Sequence, residues 1–176
     1  KLFDIKDINR APAAFNQEKL LWLNQHYIKT SDPAHVAKEF AWHMQKLGID
    51  TSNGPALVDV IRAQCERTKT LREMAERSRY FYEDVLIADD MKTHFPADIL
   101  PALQTVRDQL SALPEWTKEE IHGVLTRTAE ANSLKLGKLA PSVRVAMTGG
   151  TVSPPIDTTI LLIGRERAIA RLDQVL

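Results

Sequence analysis

LKLGKLAPSVRVAMTGGTVSPP, residues Leu134 to Pro155, changes character three times. A basic start of helical composition runs into Arg144, then come Thr148-Gly149-Gly150 and Ser153-Pro154-Pro155. Glycine takes positive φ without steric cost, and consecutive prolines fix φ and remove backbone donors. The segment after Met147 therefore reads as a stiff, shaped loop between two helices. Taken alone, that composition is equally that of an ordinary helix-loop-helix connection. What lies on either side decides for helices.

Outward from that loop the chain is punctuated as helices, and the alternating patterns and Asn-Gly turns of hairpins are missing. Asn16 can cap a helix carrying Leu20, Leu21, Leu23, Tyr27 and Ile28, whose spacing predicts one apolar stripe. Asp32-Pro33 opens the next helix, with proline tolerated at the first position, and Gly48 is a natural stop. Asn53-Gly54-Pro55 starts a third, in which Leu57, Val58, Val60, Ile61 and Cys65 are expected to face the core. A break near Thr68 to Thr70 precedes a helical reading from Leu71 to Tyr82, and Phe95 to Leu113 supports another. Thr117-Lys118-Glu119-Glu120 fits a capping box, with Trp116 before it placed to staple onto Ile121, and that helix runs to about Asn132. Ile156 to Ile163 and Arg165 to Leu176 complete the set. The expected fold is all-α, in two consecutive small helical bundles: residues 16–88 and 89–176, with the boundary near Asp89 and residues 1–15 as a lead-in.

With 176 residues, 44% of them hydrophobic, the chain can bury a core without suggesting a membrane protein. No apolar run approaches a membrane span, and the start lacks the regions of a signal peptide, so a cytoplasmic protein is expected. The one cysteine, Cys65, cannot form an internal disulfide and makes a poor zinc ligand alone; it is expected to be a buried small hydrophobe. Net charge is zero, but its distribution is uneven. Arg62 to Arg79 holds six basic residues against three acidic, and Leu134 to Arg171 six against two; the stretch between them is acidic. Two basic zones can grip a polyanion at two places, or they can be solvated helix faces.

Catalytic sets are missing. Cys65 has no local signature linking it to any histidine, adjacent pairs such as Glu119-Glu120 point about 100° apart on a helix, and Thr148-Gly149-Gly150 lacks the lysine and spacing of a phosphate loop. Neither a catalytic residue nor a metal ligand is assigned. Arginine fares better as a binding group, because its five fixed donors suit nucleobase edges that display acceptors. Unpaired cytosine offers O2 and N3 together, whereas guanine presents donors at N1 and N2; a good contact is worth about 1 to 3 kcal/mol. Such readout suits single-stranded loops, where bases stack on flat side chains. Tyr80, Phe81, Tyr82 and Trp116 are available, though their spacing fits core packing for most. A nucleic-acid binder and an all-helical protein-protein scaffold both remain open at this point.

LFDIKDINRAPAAFNQEKLLWLNQHYI, ERTKTLREMAERSRYFYED and LKLGKLAPSVRVAMTGGTVSPPIDTTILLIGRERAIARL together resemble the C-terminal part of a bacterial glutamyl-tRNA synthetase, in the family's order and spacing. The resemblance covers essentially the whole chain. That family is a class I synthetase whose N-terminal half carries the HIGH and KMSKS signatures and uses ATP with magnesium. Neither signature occurs here, so the chain looks like a part that begins after the catalytic half and is expected to be inactive alone, holding no cofactor itself. Residues from Lys1 to about Phe15 resemble the end of the stem-contact region, and the rest the anticodon-binding region. The implied partner is tRNA(Glu), bound by a monomer.

The resemblance also implies roles. The family's arginine for the third anticodon base precedes a T-L-[KR]-E segment, which places it at Arg67; glutamate anticodons end in C and glutamine anticodons in G. The arginine before the T-G-G segment and the following S-P turn hold the first base, mapping onto Arg144, Ser153, Pro154 and Ile156. One departure stands out. Where the family commonly reads A-x-P-L-R, this chain has Ala140-Pro141-Ser142-Val143-Arg144, which predicts a shifted helix start. Thr126 and Arg127 lie near the place for the middle base, and neither is assigned to it.

Overall fold

The computed structural model describes Lys6 and residues 14–176. The reading of residues 1–15 as stem-contact region thus falls almost wholly outside the described residues. Nine α-helices are described: α1 Gln17–Thr30, α2 Pro33–Lys46, α3 Leu57–Gln64, α4 Leu71–Ser78, α5 Leu100–Ser111, α6 Lys118–Ala131, α7 Leu136–Thr148, α8 Ile156–Ile163 and α9 Arg165–Asp173. Short 3-10 turns cover Arg79–Phe81 and Asp89–His94. Among the described residues there is no strand, and no helix is long and apolar enough to cross a membrane.

The helix ends follow from local chemistry. Asn16 Oδ1 accepts from the Lys19 N–H and Asp32 Oδ1 from the Ala34 N–H, with Pro33 at the first helical position. Thr117 Oγ1 accepts from the Glu120 N–H. Each cap satisfies a backbone donor that the first turn leaves without a partner. Gly48 closes α2 at φ 71°, in the left-handed region that favours glycine. Pro141 lies inside α7, so the helix starts upstream of the proline and goes without one backbone bond to Gly137. Trp116 turns toward the next layer: its Nε1–H donates to the Leu161 carbonyl, and Arg165 sits over its ring at 5.4 Å.

Helices α2, α3 and α4 pack on one another around Phe40, Met44 and Met74, while α5 to α9 pack around Leu103, Leu110, Ile121, Leu125, Leu139 and Ile160. Each such fully buried side chain contributes about 1.5 to 3 kcal/mol. The groups meet where the Arg79–Phe81 turn touches α7 and α8 and α3 touches α8.

Two expectations need correction. Of the stripe predicted on α1, Ile28 alone is buried; Leu20, Leu23 and Tyr27 are exposed, because α1 meets its neighbours mainly through polar side chains. Cys65 sits just past the end of α3, half-buried rather than buried, and burial raises its thiol pKa.

Candidate functional site

Arg67 occupies the turn between α3 and α4, and that turn is tied from several sides. The Arg67 N–H and the Thr68 hydroxyl both donate to the Gln64 carbonyl, at 2.9 and 3.1 Å. Thr70 caps α4 by accepting from the Glu73 N–H, and Glu73 Oε2 accepts from the Lys69 N–H. Across from it, α1 holds the same backbone. Gln25 Nε2 donates to the Cys65 and Glu66 carbonyls, Asn24 Nδ2 to the Lys69 carbonyl, and Lys29 pairs with Glu66 at 2.7 Å. The Arg67 side chain projects from this fixed turn, exposed.

Arg144 belongs to a segment that ties itself. Gly149 ends α7 at φ 70°, and its N–H returns to the Val145 carbonyl. A Cβ there would come within 2.7 Å of Val85 Cγ1 and 3.2 Å of the Leu86 carbonyl, so the absent side chain lets the loop close on residues 85–86. Thr148 Oγ1 lies 2.9 Å from the Arg144 carbonyl and 3.0 Å from that of Gly150. Arg144 Nε donates to Ser153 Oγ at 3.0 Å, and the Ser153 hydroxyl donates to the Pro154 carbonyl. Thr159 closes the loop from α8, its hydroxyl 3.1 Å from the Pro155 carbonyl. Ser153, Pro154 and Ile156 are buried, so they shape the loop from within; Arg144 is half-buried.

Tyr80 links the two places. Gln64 Nε2 reaches its hydroxyl at 3.4 Å, and burial pushes that hydroxyl well above the usual phenol range, opposed by the Gln64 bond and by the charges of Arg171, Arg67 and Arg144. Both predicted arginines thus lie within electrostatic reach of one half-buried phenol. An open groove of about 480 Å³ runs beside it between Arg77, Arg79 and Leu86 on one side and Thr148, Gly149 and Val152 on the other.

Arg67 and Arg144 differ in their partners from most arginines of the two basic zones. In the first basic zone Arg62 pairs with Asp59, Arg72 with Glu76, Arg77 with Glu73 and Arg79 with Glu83. In the second, Arg167 and Arg171 bind backbone carbonyls and Arg165 covers Trp116. Among the described residues the Arg67 guanidinium has no hydrogen-bonding or ion-pair partner, and the terminal nitrogens of Arg144 have none. Their donors are free for a ligand. Thr126 and Arg127 do not join this constellation: Thr126 Oγ1 is buried without a partner, and Arg127 folds back along α6 over Gly123. Gln25, Gln64 and Thr159 are additions that the sequence did not mark, whereas Tyr80 is one of the aromatics the sequence makes available. Among the described residues, no group of three or more His, Cys, Asp or Glu is arranged to hold a metal ion.

Comparison with known proteins bears on the family and the fold. The chain is 55% identical, over its whole length, to glutamate-tRNA ligase 1 of Coxiella burnetii strain CbuK_Q154, and 54% identical to glutamate-tRNA ligase 2 of the Dugway 5J108-111 strain. It spans 38% of the length of each. A solved glutamate tRNA ligase from Elizabethkingia meningosepticum superposes on 98% of the chain with a TM-score of 0.84 at 23% identity. Glutamate-tRNA synthetase from Elizabethkingia anophelis does so at 0.80 and 24%; the chain covers 34% of either protein. At such identities the superpositions establish the fold alone. The anticodon binding domain family matches residues 33–176, and with that match over most of its length the chain belongs to this family.

Proposed function

We propose that the chain reads the anticodon of tRNA(Glu) as the C-terminal part of a glutamate-tRNA ligase. The observation that carries this reading is that Arg67, on a tied turn, has no hydrogen-bonding or ion-pair partner among the described residues, while Arg144, near the end of α7, spends only its Nε on Ser153, and both lie within electrostatic reach of Tyr80. Arg67 tests the third base: its donors meet O2 and N3 of cytosine and are repelled by the donors of guanine. Arg144 takes the first base, with Ser153, Pro154 and Ile156 setting the loop that aims it. Residues 16–88 and 89–176 act as two subdomains, each supplying one arginine. The chain works as a monomer in the cytoplasm, and glutamate activation with ATP and magnesium belongs to the rest of the ligase. A protein-protein scaffold draws no support from the family match.

Short RNA hairpins presenting a C-ended or a G-ended anticodon test this. The wild-type chain is expected to prefer the C-ended hairpin by about 1 to 3 kcal/mol, with affinity that weakens as salt rises. In Arg67→Gln the preference vanishes. Equal binding of both hairpins by the wild type would sink the proposal.

A further inference from the structure

Arg171 in α9 is 2% exposed, yet it has no bonded carboxylate. Its Nη1–H donates to the Met147 carbonyl at the end of α7, and its Nη2 donates to the Tyr80 and Glu83 carbonyls at 2.7 and 2.8 Å. One planar fork therefore bonds both sides of the groove: the segment after α4 with one nitrogen, the last turn before the Thr148–Gly150 loop with the other. Arg167, one helical turn earlier, repeats the motif at the surface, donating to the Phe81 carbonyl at 2.5 Å and the Asn53 carbonyl at 3.0 Å. Both look from sequence like phosphate-gripping charge, and both are instead consumed by backbone carbonyls: Arg167 by two in the other helical group, Arg171 by two there and by Met147 in its own.

We propose that Arg171, seconded by Arg167, is a positioning residue that fixes the spacing between the Arg67 and Arg144 loops, so that the first and third anticodon bases are read as one unit. The inference rests on the anticodon reading above. Met147 lies three residues past Arg144, and the charges of both reading arginines act on the Tyr80 phenol. A guanidinium bonds both segments at once because its donors diverge in a rigid plane; an ammonium is a point charge and cannot reproduce that. Burial lowers the Arg171 pKa to about 10, so the group stays charged at neutral pH and its fork keeps all its donors. Its Nε is buried without a partner, leaving the terminal nitrogens as the bonding end.

The test compares base preference with affinity. Hairpins varied at the first or the third anticodon base are titrated into the wild-type chain, Arg171→Met, Arg171→Lys and Arg167→Gln, with helix content followed by circular dichroism. Misplacement by about 1 Å can cost on the order of a hundredfold. Arg171→Met is therefore expected to lose tenfold or more on the matched hairpin and little on mismatched ones, so preference collapses at both bases together. Arg171→Lys recovers part of it, and Arg167→Gln shows a smaller loss of the same kind. A role in stability alone would lower all hairpins equally. Undiminished preference at both bases in Arg171→Met overturns the inference while leaving the anticodon reading intact. If Arg171→Met does not fold, Arg167→Gln decides, and undiminished preference there has the same meaning. A wild type without base preference fells the anticodon reading, and this inference with it.

Discussion

The Arg67 turn and the segment from Arg144 to Pro155 are both tied, but by different balances of means. The first adds to its own Thr68, Thr70 and Glu73 bonds a clamp from outside, by Asn24, Gln25 and Lys29 reaching across from α1. The second is held from inside, by hydroxyls of Thr148, Ser153 and Thr159 and by a glycine that admits a close backbone approach. Remote support leaves Arg67 exposed with its whole fork available, whereas local support uses one nitrogen of Arg144 and leaves the outer two. The turn fixed from a distance keeps the more complete recognition group and depends more on tertiary structure.

The largest expected effect falls on both regions at once. Phe81 is fully buried where the two helical groups meet, and Phe81→Ala should destabilise the chain by about 3 to 5 kcal/mol in denaturant unfolding. Loss confined to one region's hydrogen-exchange protection would break the shared frame. Gly149→Ala comes next. A side chain at positive φ against Val85 should cost about 1 to 3 kcal/mol and loosen the Gly149–Pro155 amides in hydrogen exchange, with the Arg67 turn unchanged. Gln25→Ala is smaller, about 0.5 to 1.5 kcal/mol, and does the reverse: faster exchange around Arg67, none around Arg144. Equal effects of these two variants on both loops would erase the contrast.

The last effect is nil at neutral pH. Burial raises the Tyr80 and Tyr82 pKa values, so the folded chain keeps protons that the unfolded chain gives up above about pH 10. Arg171, whose pKa burial lowers to about 10, acts in the opposite sense over the same range. Two raised phenols against one lowered guanidinium leave stability falling as pH rises past that point, and the midpoint of thermal unfolding should follow. A midpoint flat across pH 9 to 12 would contradict the burial of both phenols.

Caps were legible because they are local: Asn16, Asp32 and Thr117 each bond an N–H within three residues. The same is true of the Gly149 turn. Arg67 and Arg144 are singled out through family resemblance, since composition gives no reason to prefer Arg67 to Arg62 or Arg72. What supports them was hidden by separation. Gln25 meets residue 65 and Arg171 meets residue 80, contacts spanning 40 and 91 positions that no periodicity encodes. The α1 stripe misled for a related reason: apolar spacing predicts a face, not whether anything covers it.

The three tryptophans divide the molecule optically. Trp22 and Trp42 stand 61% and 53% exposed, one stacked on His26 and the other beneath Lys46, whereas Trp116 is half-buried under Arg165 with its indole N–H bonded to Leu161. Trp22 and Trp42 are already more than half exposed to solvent in the native state. An emission shift on unfolding therefore comes from Trp116, so intrinsic fluorescence tracks the α5–α9 group and passes over the helices around Arg67.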